Sequence, residues 1–331
     1  MFYNLIIRIF LSNDIFFNDA FLIQSGIIVN NTILNLPNTD SKRKLTEQLI
    51  QTAREIKMLP DVAAKAIAIA DDPNASTQAF ANIIAQDPRL TRDILSLSNS
   101  PLFPRAPGAK PISCLKMAIN RLGSRQTKQM ILVSCYSSML NQMDLEEVHV
   151  REILARHSFL TGVISTKLNK LFKLGIQGEE FTAGLLHDVG RILLATAAPK
   201  EFKLLDAMDF TERHDVINEE IEFIGTSHAE VGEWFLLRNH LPEELVSVAR
   251  HHHNPAASGK FKRFVALISV ADDLANYYQR QELEKEYDCT NLASLRLLET
   301  LGVENSIARL GEAWPKILSE SVESSSQLFR L

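Results

Sequence analysis

The chain has 331 residues, 46% of them hydrophobic and 23% charged, a globular composition long enough for two lobes around a sizeable core. Its 35 basic against 40 acidic residues leave a net charge of -5, which argues against a nucleic-acid binder held by a broad basic surface. Cys114, Cys135 and Cys289 are far apart with no CxxC spacing, so neither a disulfide framework nor a thiolate zinc site is indicated, and a reducing cytoplasm is the expected compartment.

Residues 1–40 differ from the rest of the chain, carrying only Arg8, Asp14, Asp19 and Asp40 as charges beside many Asn. The opening 11 residues have the length of a signal-peptide core, but Arg8 interrupts them and no A-x-A site succeeds them. Gln24, Ser25, Asn30, Asn31 and Asn35 break the longest apolar stretch below the roughly 20 residues a membrane helix needs, so no membrane insertion is expected. The expectation is an N-terminal extension, poorly ordered or strand-forming, or else translation from a start codon placed too far upstream.

From Ser41 the helical period dominates. Pro60 opens the Ala-rich "DVAAKAIAIA", "DDPNAS" is a turn, and "TQAFANIIAQ" resumes the period. Asp87-Pro88 reads as an N-cap with Pro at the first helical position, opening "RLTRDILSLSNS". "PLFPRAPGAKP" is a Pro-rich loop. Ser113 is the expected cap of "CLKMAINRL", Gly123 its end, and Ser124 the start of a helix reaching Leu140. Gly123 with Arg121, Arg125 and Lys128 has helix-turn-helix spacing, but such connections are common in α-bundles, and no specific nucleic acid is expected.

The pattern restarts near "NQMDLEEV", which places a lobe boundary there, with lobes over 41–143 and 144–284. The second lobe predicts helices over roughly 146–173, 180–197, 214–224, 227–239, 243–253 and 260–279, and Ser227 with Glu230 has capping-box spacing. Residues 285–331 predict a helical C-terminal extension, whose apolar face over 290–318 could pair with a second copy as a homodimer. Strand alternation is nearly absent, so the fold class is all-α, a two-lobed helical bundle.

Chemistry-bearing side chains gather in the second lobe. His157 lies in "ARHSFLTGVIS", His187 and Asp188 in "GLLHDVGR", His228 at a helix start, His252 and His253 in "RHHHNP", and Asp272 in the apolar "LISVADDLAN". A buried aspartate is costly unless paired, hydrogen-bonded or ligated. His and Asp directed inwards from different bundle helices are how such folds build metal sites. Imidazole with carboxylate suits Fe, Mn, Ni, Co or Zn. Each residue also has a plainer reading: His157 as a satisfied core histidine, His228 as a helix-start residue, and the His run as a helix C-terminus favoured by the macrodipole.

The ordered set His157, His187-Asp188 and Asp272 resembles the HD superfamily of metal-dependent phosphohydrolases, with Arg191 where many members have Lys. "MLPDVAAKAIAIADDPNAS", "IIAQDPRLTRDILSLSNSPLF", "CLKMAINRLGSRQTKQMIL", "IGTSHAEVGEWFL", "LPEELVSVARHHHNP" and "VADDLAN" narrow the likeness to the HDOD domain, an HD-related output domain of bacterial signalling proteins, over roughly residues 55–280. The resemblance implies a mononuclear set of His157, His187, Asp188 and Asp272, with His228, His252 and His253 as further ligands of a binuclear site. His251 then takes a position where an aromatic residue is common. A Gly-Tyr-Pro element comes after the His pair in related cyclic-dinucleotide phosphodiesterases, and "HHHNPAASGKF" lacks it.

The likeness implies two functions. The first is a signalling output or adaptor protein that contacts other signalling proteins and carries a metal site. The second is a metal-dependent phosphohydrolase acting on a phosphoester or nucleotide, with Asp188 as bridging carboxylate and the Arg191 fork stabilising phosphoryl charge. No Gly-rich phosphate cradle accompanies the histidines, and the regulatory reading leads.

Overall fold

The computed structural model describes residues 27–29, 32–34, 39–70, 72, 74–99, 110–143, 148–206, 216–280 and 287–329. Most of the N-terminal extension, the Pro-rich loop apart from its end and the boundary segment 144–147 lie outside the described residues. Within the extension, β1 (Ile27–Val29) pairs antiparallel with β2 (Thr32–Leu34), Ile28 opposite Ile33. Everything else of regular structure among the described residues is helical.

The stretch expected to form the first lobe holds α1 (Thr39–Glu55), α2 (Asp61–Ala70), α3 (Thr77–Ile84), α4 (Pro88–Asn99) and α5 (Leu115–Gln142). Asp87 caps α4 as its sequence implied, its Oδ1 accepting from the Arg89 and Leu90 amides. The expected cap at Ser113 is corrected: Cys114 is the N-cap of α5 and offers no side-chain bond. Gly123 breaks α5 with φ 80°, a left-handed conformation that a Cβ would strain. Arg125, one of the cations flanking that turn, is hydrogen-bonded to Gln177 of the second lobe.

The stretch expected to form the second lobe holds α6 (Val148–Phe172), α7 (Glu179–Leu186), α8 (Val189–Ala197), α9 (Pro199–Leu205), α10 (Val216–Ile224), α11 (His228–Arg238), α12 (Glu243–His251) and α13 (Lys262–Gln279). Ser227 and Glu230 form the expected capping box at α11. The single helix expected over 180–197 is two, divided at His187-Asp188, where Asp188 takes φ -102° and ψ 19°.

The lobes are not separate cores. One apolar cluster runs from Leu49 of α1 to Ile268 of α13, taking in Phe80, Ile94, Tyr136, Leu186 and Phe235. Gln48 of α1 donates to the Ala197 carbonyl at the end of α8, and the Met58 amide donates to Asn239. A second cluster joins α6 and α13 to α14 (Ala293–Thr300) and α15 (Ser306–Phe329). There the apolar face expected to be exposed is buried within the chain: Leu295, Leu298 and Leu310 are fully covered, and Tyr277, Tyr287 and Trp314 pack ring to ring. The physical basis offered for a homodimer is therefore corrected, because α6 and α13 already cover that face. No described helix is long and apolar enough to cross a membrane.

Candidate metal centre

Five histidines and two aspartates, from α6, the α7–α8 break, α11, the end of α12 and α13, converge at one point. His157, His187, His228, His252, Asp188 and Asp272 are buried, while His253 is exposed on the solvent side. All seven residues singled out in the sequence as ligands are brought together. Neighbouring side chains on a continuous helix project about 100° apart; the break at Asp188 lets it and His187 face the same point.

The donor atoms fall into two groups that share Asp188. On one side His157 Nε2 lies 2.9 Å from Asp272 Oδ1 and 3.3 Å from His187 Nε2, which is itself 3.4 Å from Asp272 Oδ1. Asp188 Oδ2 stands 3.7 and 3.6 Å from these two rings. On the other side His228 Nε2 is 3.4 Å from His252 Nε2 and 3.1 Å from His253 Nε2. Asp188 Oδ1 lies 3.6 and 3.3 Å from His228 and His252. One carboxylate thus turns one oxygen to each group, the disposition of a bridging ligand.

Hydrogen bonds behind the rings decide which nitrogen points inwards. His187 Nδ1 donates to the Gly184 carbonyl at 2.7 Å, and His252 Nδ1 to the Val248 and Ala249 carbonyls at 3.2 and 3.1 Å. His157 Nδ1 meets Gln279 Oε1 at 2.6 Å, and His228 Nδ1 meets both oxygens of Glu220 at 2.9 and 2.8 Å. A carbonyl or carboxylate oxygen only accepts, so Nδ1 carries the proton and a neutral ring presents a bare Nε2. Lone pairs facing each other at 3.3 Å between His157 and His187 and at 3.4 Å between His228 and His252, beside two carboxylates, repel unless a cation or proton lies among them. Ligands about 2.0–2.1 Å from a transition ion stand about 2.9–3.4 Å apart, close to the separations found here. The residues fit a divalent ion in each group.

Electrostatics point the same way. Burial would raise the carboxyls of Asp188 and Asp272, but the histidines, and Arg191 for Asp188, hold both well below the usual carboxylate range. Burial and the neighbouring rings push His252 down; His253, although exposed at its outer edge, has its ring desolvated against His252 and His228 and is held well below the usual histidine range, so both stay neutral. Burial would also lower His187, yet Asp188 and Asp272 outweigh it and bring it up to about 9, so a proton competes for this Nε2.

Arg191 lies beside the donor groups, bonded to the carboxylate they share. Its Nη1 binds Asp188 Oδ2 at 2.9 Å, and its Nε and Nη2 bind Asp206 Oδ2 at 3.0 and 2.5 Å. The fork expected to meet a phosphoryl group is engaged by two carboxylates and braces Asp188. Sequence reasoning missed Asp206, Gln279 and Glu220. Glu220 did leave a signal, since it lies three and four residues before Phe223 and Ile224, on the buried face of α10.

The helices of this all-α bundle aim imidazole Nε2 atoms and carboxylates at one point, a cluster that could hold a metal ion. The chain belongs to the HDOD domain family, whose model matches residues 56–255. An uncharacterized protein of Treponema pallidum (strain Nichols) is 24% identical over 242 residues, 71% of this chain and 45% of that protein. The chain therefore spans about half the length of the curated relative it matches. Among solved structures, an HDOD domain protein with unknown function from Geobacter sulfurreducens is 23% identical with TM-score 0.68, covering 89% of this chain and 100% of that one. A Shewanella amazonensis SB2B protein whose name proposes a phosphohydrolase is 20% identical with TM-score 0.64, over 85% and 98% of the two chains. A Marinobacter aquaeolei VT8 protein whose name proposes a signal transduction role is 18% identical with TM-score 0.64, over 89% and 67%. At these identities the structures share the fold.

Proposed function

We propose that this chain is an HDOD-type regulatory output protein of bacterial signalling, which acts on other signalling proteins and carries a divalent transition-metal centre in its second lobe. His157, His187, Asp188 and Asp272 would hold one ion, and Asp188, His228, His252 and His253 a second. The observation that carries the metal assignment is the set of Nδ1 hydrogen bonds, which commits His157, His187, His228 and His252 to an inward Nε2 before any ion arrives. The ligand types favour Fe, Mn, Ni, Co or Zn.

Two features support a regulatory use. The centre and the first lobe share one core, so a change in ligand geometry at α7, α11 or α12 reaches α2–α5 through packed side chains. The Arg191 guanidinium, which a phosphoryl group would need, is held by Asp188 and Asp206.

One observation favours phosphoester hydrolysis as a second reading: Asp188 offers one oxygen to each group, and exposed His253 gives the centre a solvent-facing edge. A divalent cation bound there supplies Lewis acidity, polarising a phosphoryl oxygen and activating water. Asp188 would keep the groups in register, and Arg191 would hold Asp188 ionised.

The readings separate in a turnover assay on phosphomonoesters and phosphodiesters with Mn, Fe, Ni or Mg, run beside Asp188→Ala, together with co-purification and signalling-phenotype screens. The regulatory reading expects no turnover that Asp188→Ala abolishes and a signalling partner whose binding weakens when metal is stripped. Robust Asp188-dependent turnover with no partner would overturn it.

A further inference from the structure

Glu220 stands outside every ligand group, yet it is buried and makes three contacts with a single residue. Its Oε2 accepts from the His228 backbone amide at 2.8 Å, and both of its oxygens face His228 Nδ1. The other defined Nδ1 atoms rest on neutral oxygens: a carbonyl for His187, two carbonyls for His252 and an amide oxygen for His157. Among these rings, only His228 has a charge behind it.

The position explains why a charge is needed there. His228 is the first residue of α11, where unpaired amides and the helix dipole disfavour a cation. A second divalent ion beside that end would also meet few counter-charges. Two such ions face only the ligand carboxylates Asp188 and Asp272, while Arg191 is offset by Asp206. Glu220 supplies a further negative charge, occupies one free amide of the helix end, and makes the His228 ring a stronger donor through the carboxylate–histidine arrangement.

We infer that Glu220 is a positioning residue that makes the His228–His252–His253 subsite competent for a second ion, while the His157–His187–Asp272 subsite does not depend on it. The two subsites are therefore inequivalent, and a residue of α10 controls one of them. The inference rests on the metal reading above and can fail separately from it.

The test is titration of the full, chelator-stripped chain with Co(II) and with Zn(II), then elemental analysis and the Co(II) ligand-field bands, for wild type, E220Q and E220A. Glu220→Gln keeps the size and one acceptor oxygen, removes the charge and turns the second acceptor into an NH2 donor, while Glu220→Ala removes the whole group. The wild type is expected to take two ions. E220Q and E220A should leave one affinity unchanged within about twofold and weaken the other about 10- to 100-fold, the usual effect of losing a partner behind a ligand. The Co(II) bands of the weakened ion should be lost while far-UV circular dichroism is unchanged.

Two ions bound by E220Q with wild-type affinity, or both affinities falling together, would overturn the assignment. No ion bound by the wild type would overturn the metal centre itself. Should the variants fail to fold, nitrogen-15 NMR of the Zn(II)-loaded wild type decides instead. His228 protonated at Nδ1 and strongly hydrogen-bonded is the expected result; protonation at Nε2 would overturn the inference.

Discussion

The backbone of Gly184 on α7 lies directly against that of Gly162 on α6: a Cβ built at Gly184 would stand 2.7 Å from the Gly162 Cα and 2.8 Å from its nitrogen. Such separations leave no room for a methyl group. This close crossing joins the helix that carries His157 to the one that ends at His187, and the Nε2 atoms of those two residues lie 3.3 Å apart. Gly184→Ala should force α6 and α7 apart at a cost of about 1–3 kcal/mol, the range for overpacking a filled interior. A denaturant melt measures the loss, and the first ion should bind more weakly in the same variant. Unchanged stability and metal affinity would mean that the crossing does not set the ligand geometry.

Arg191 couples Asp188 to Asp206 with little exposure of any of the three. Arg191→Met would leave two nearly buried carboxylates without their partner, which costs about 3–5 kcal/mol in comparable pairs. The loss should be larger in the metal-stripped protein than in the loaded one, because a bound cation would still compensate Asp188. Urea midpoints with and without Zn(II) check both parts.

A proton would compete with any ion held at His187. Burial alone would lower its pKa, but Asp188 and Asp272 raise it to about 9, from 6.5 for the unperturbed group. With the folded value above the unfolded one, the proton-linked stabilisation is fully present below pH 6.5 and is lost as pH rises through about 9. The metal-stripped protein should therefore melt at a lower temperature as pH climbs through that window. Added Zn(II) should raise the melting temperature more at its alkaline end than at its acid end. Differential scanning calorimetry at matched ionic strength reads both slopes.

The thiols should respond unequally to alkylation. Burial pushes the Cys135 thiol up to about 12, whereas Cys114 is exposed. The thiolate is the reactive form, so iodoacetamide at mildly alkaline pH should label Cys114 in the native protein and reach Cys135 only after unfolding. Peptide mass spectrometry after graded exposure distinguishes the two sites.

The candidate ligands were more legible in the sequence than the groups that hold them. His157, His187, Asp188 and Asp272 were legible because polar residues on apolar helix faces demand partners and because their order matches a known pattern. Helical period could also have revealed Glu220, beside Phe223 and Ile224, and Gln279, two turns after Asp272 on α13. Asp206 left no such trace, since it lies just past the short helix α9 and finds Arg191 only through the fold. The break at His187-Asp188 was illegible because no Gly or Pro stands at either position, and the helical period runs through them. On α14 and α15 the apolar stripe was readable but its partner was not. Leu295 and Leu310 pack against their own chain just as they would against a second copy, and periodicity does not distinguish the two.

Metal content tests the central claim most directly. The full chain, purified without added metal and then equilibrated with Fe, Mn, Ni, Co or Zn, is compared by elemental analysis with His187→Ala handled identically. The account expects one or two transition-metal ions per wild-type chain and a clear loss in the variant, with its helical content retained. A wild type that binds none of these ions, or a variant that binds as many as the wild type, would contradict it.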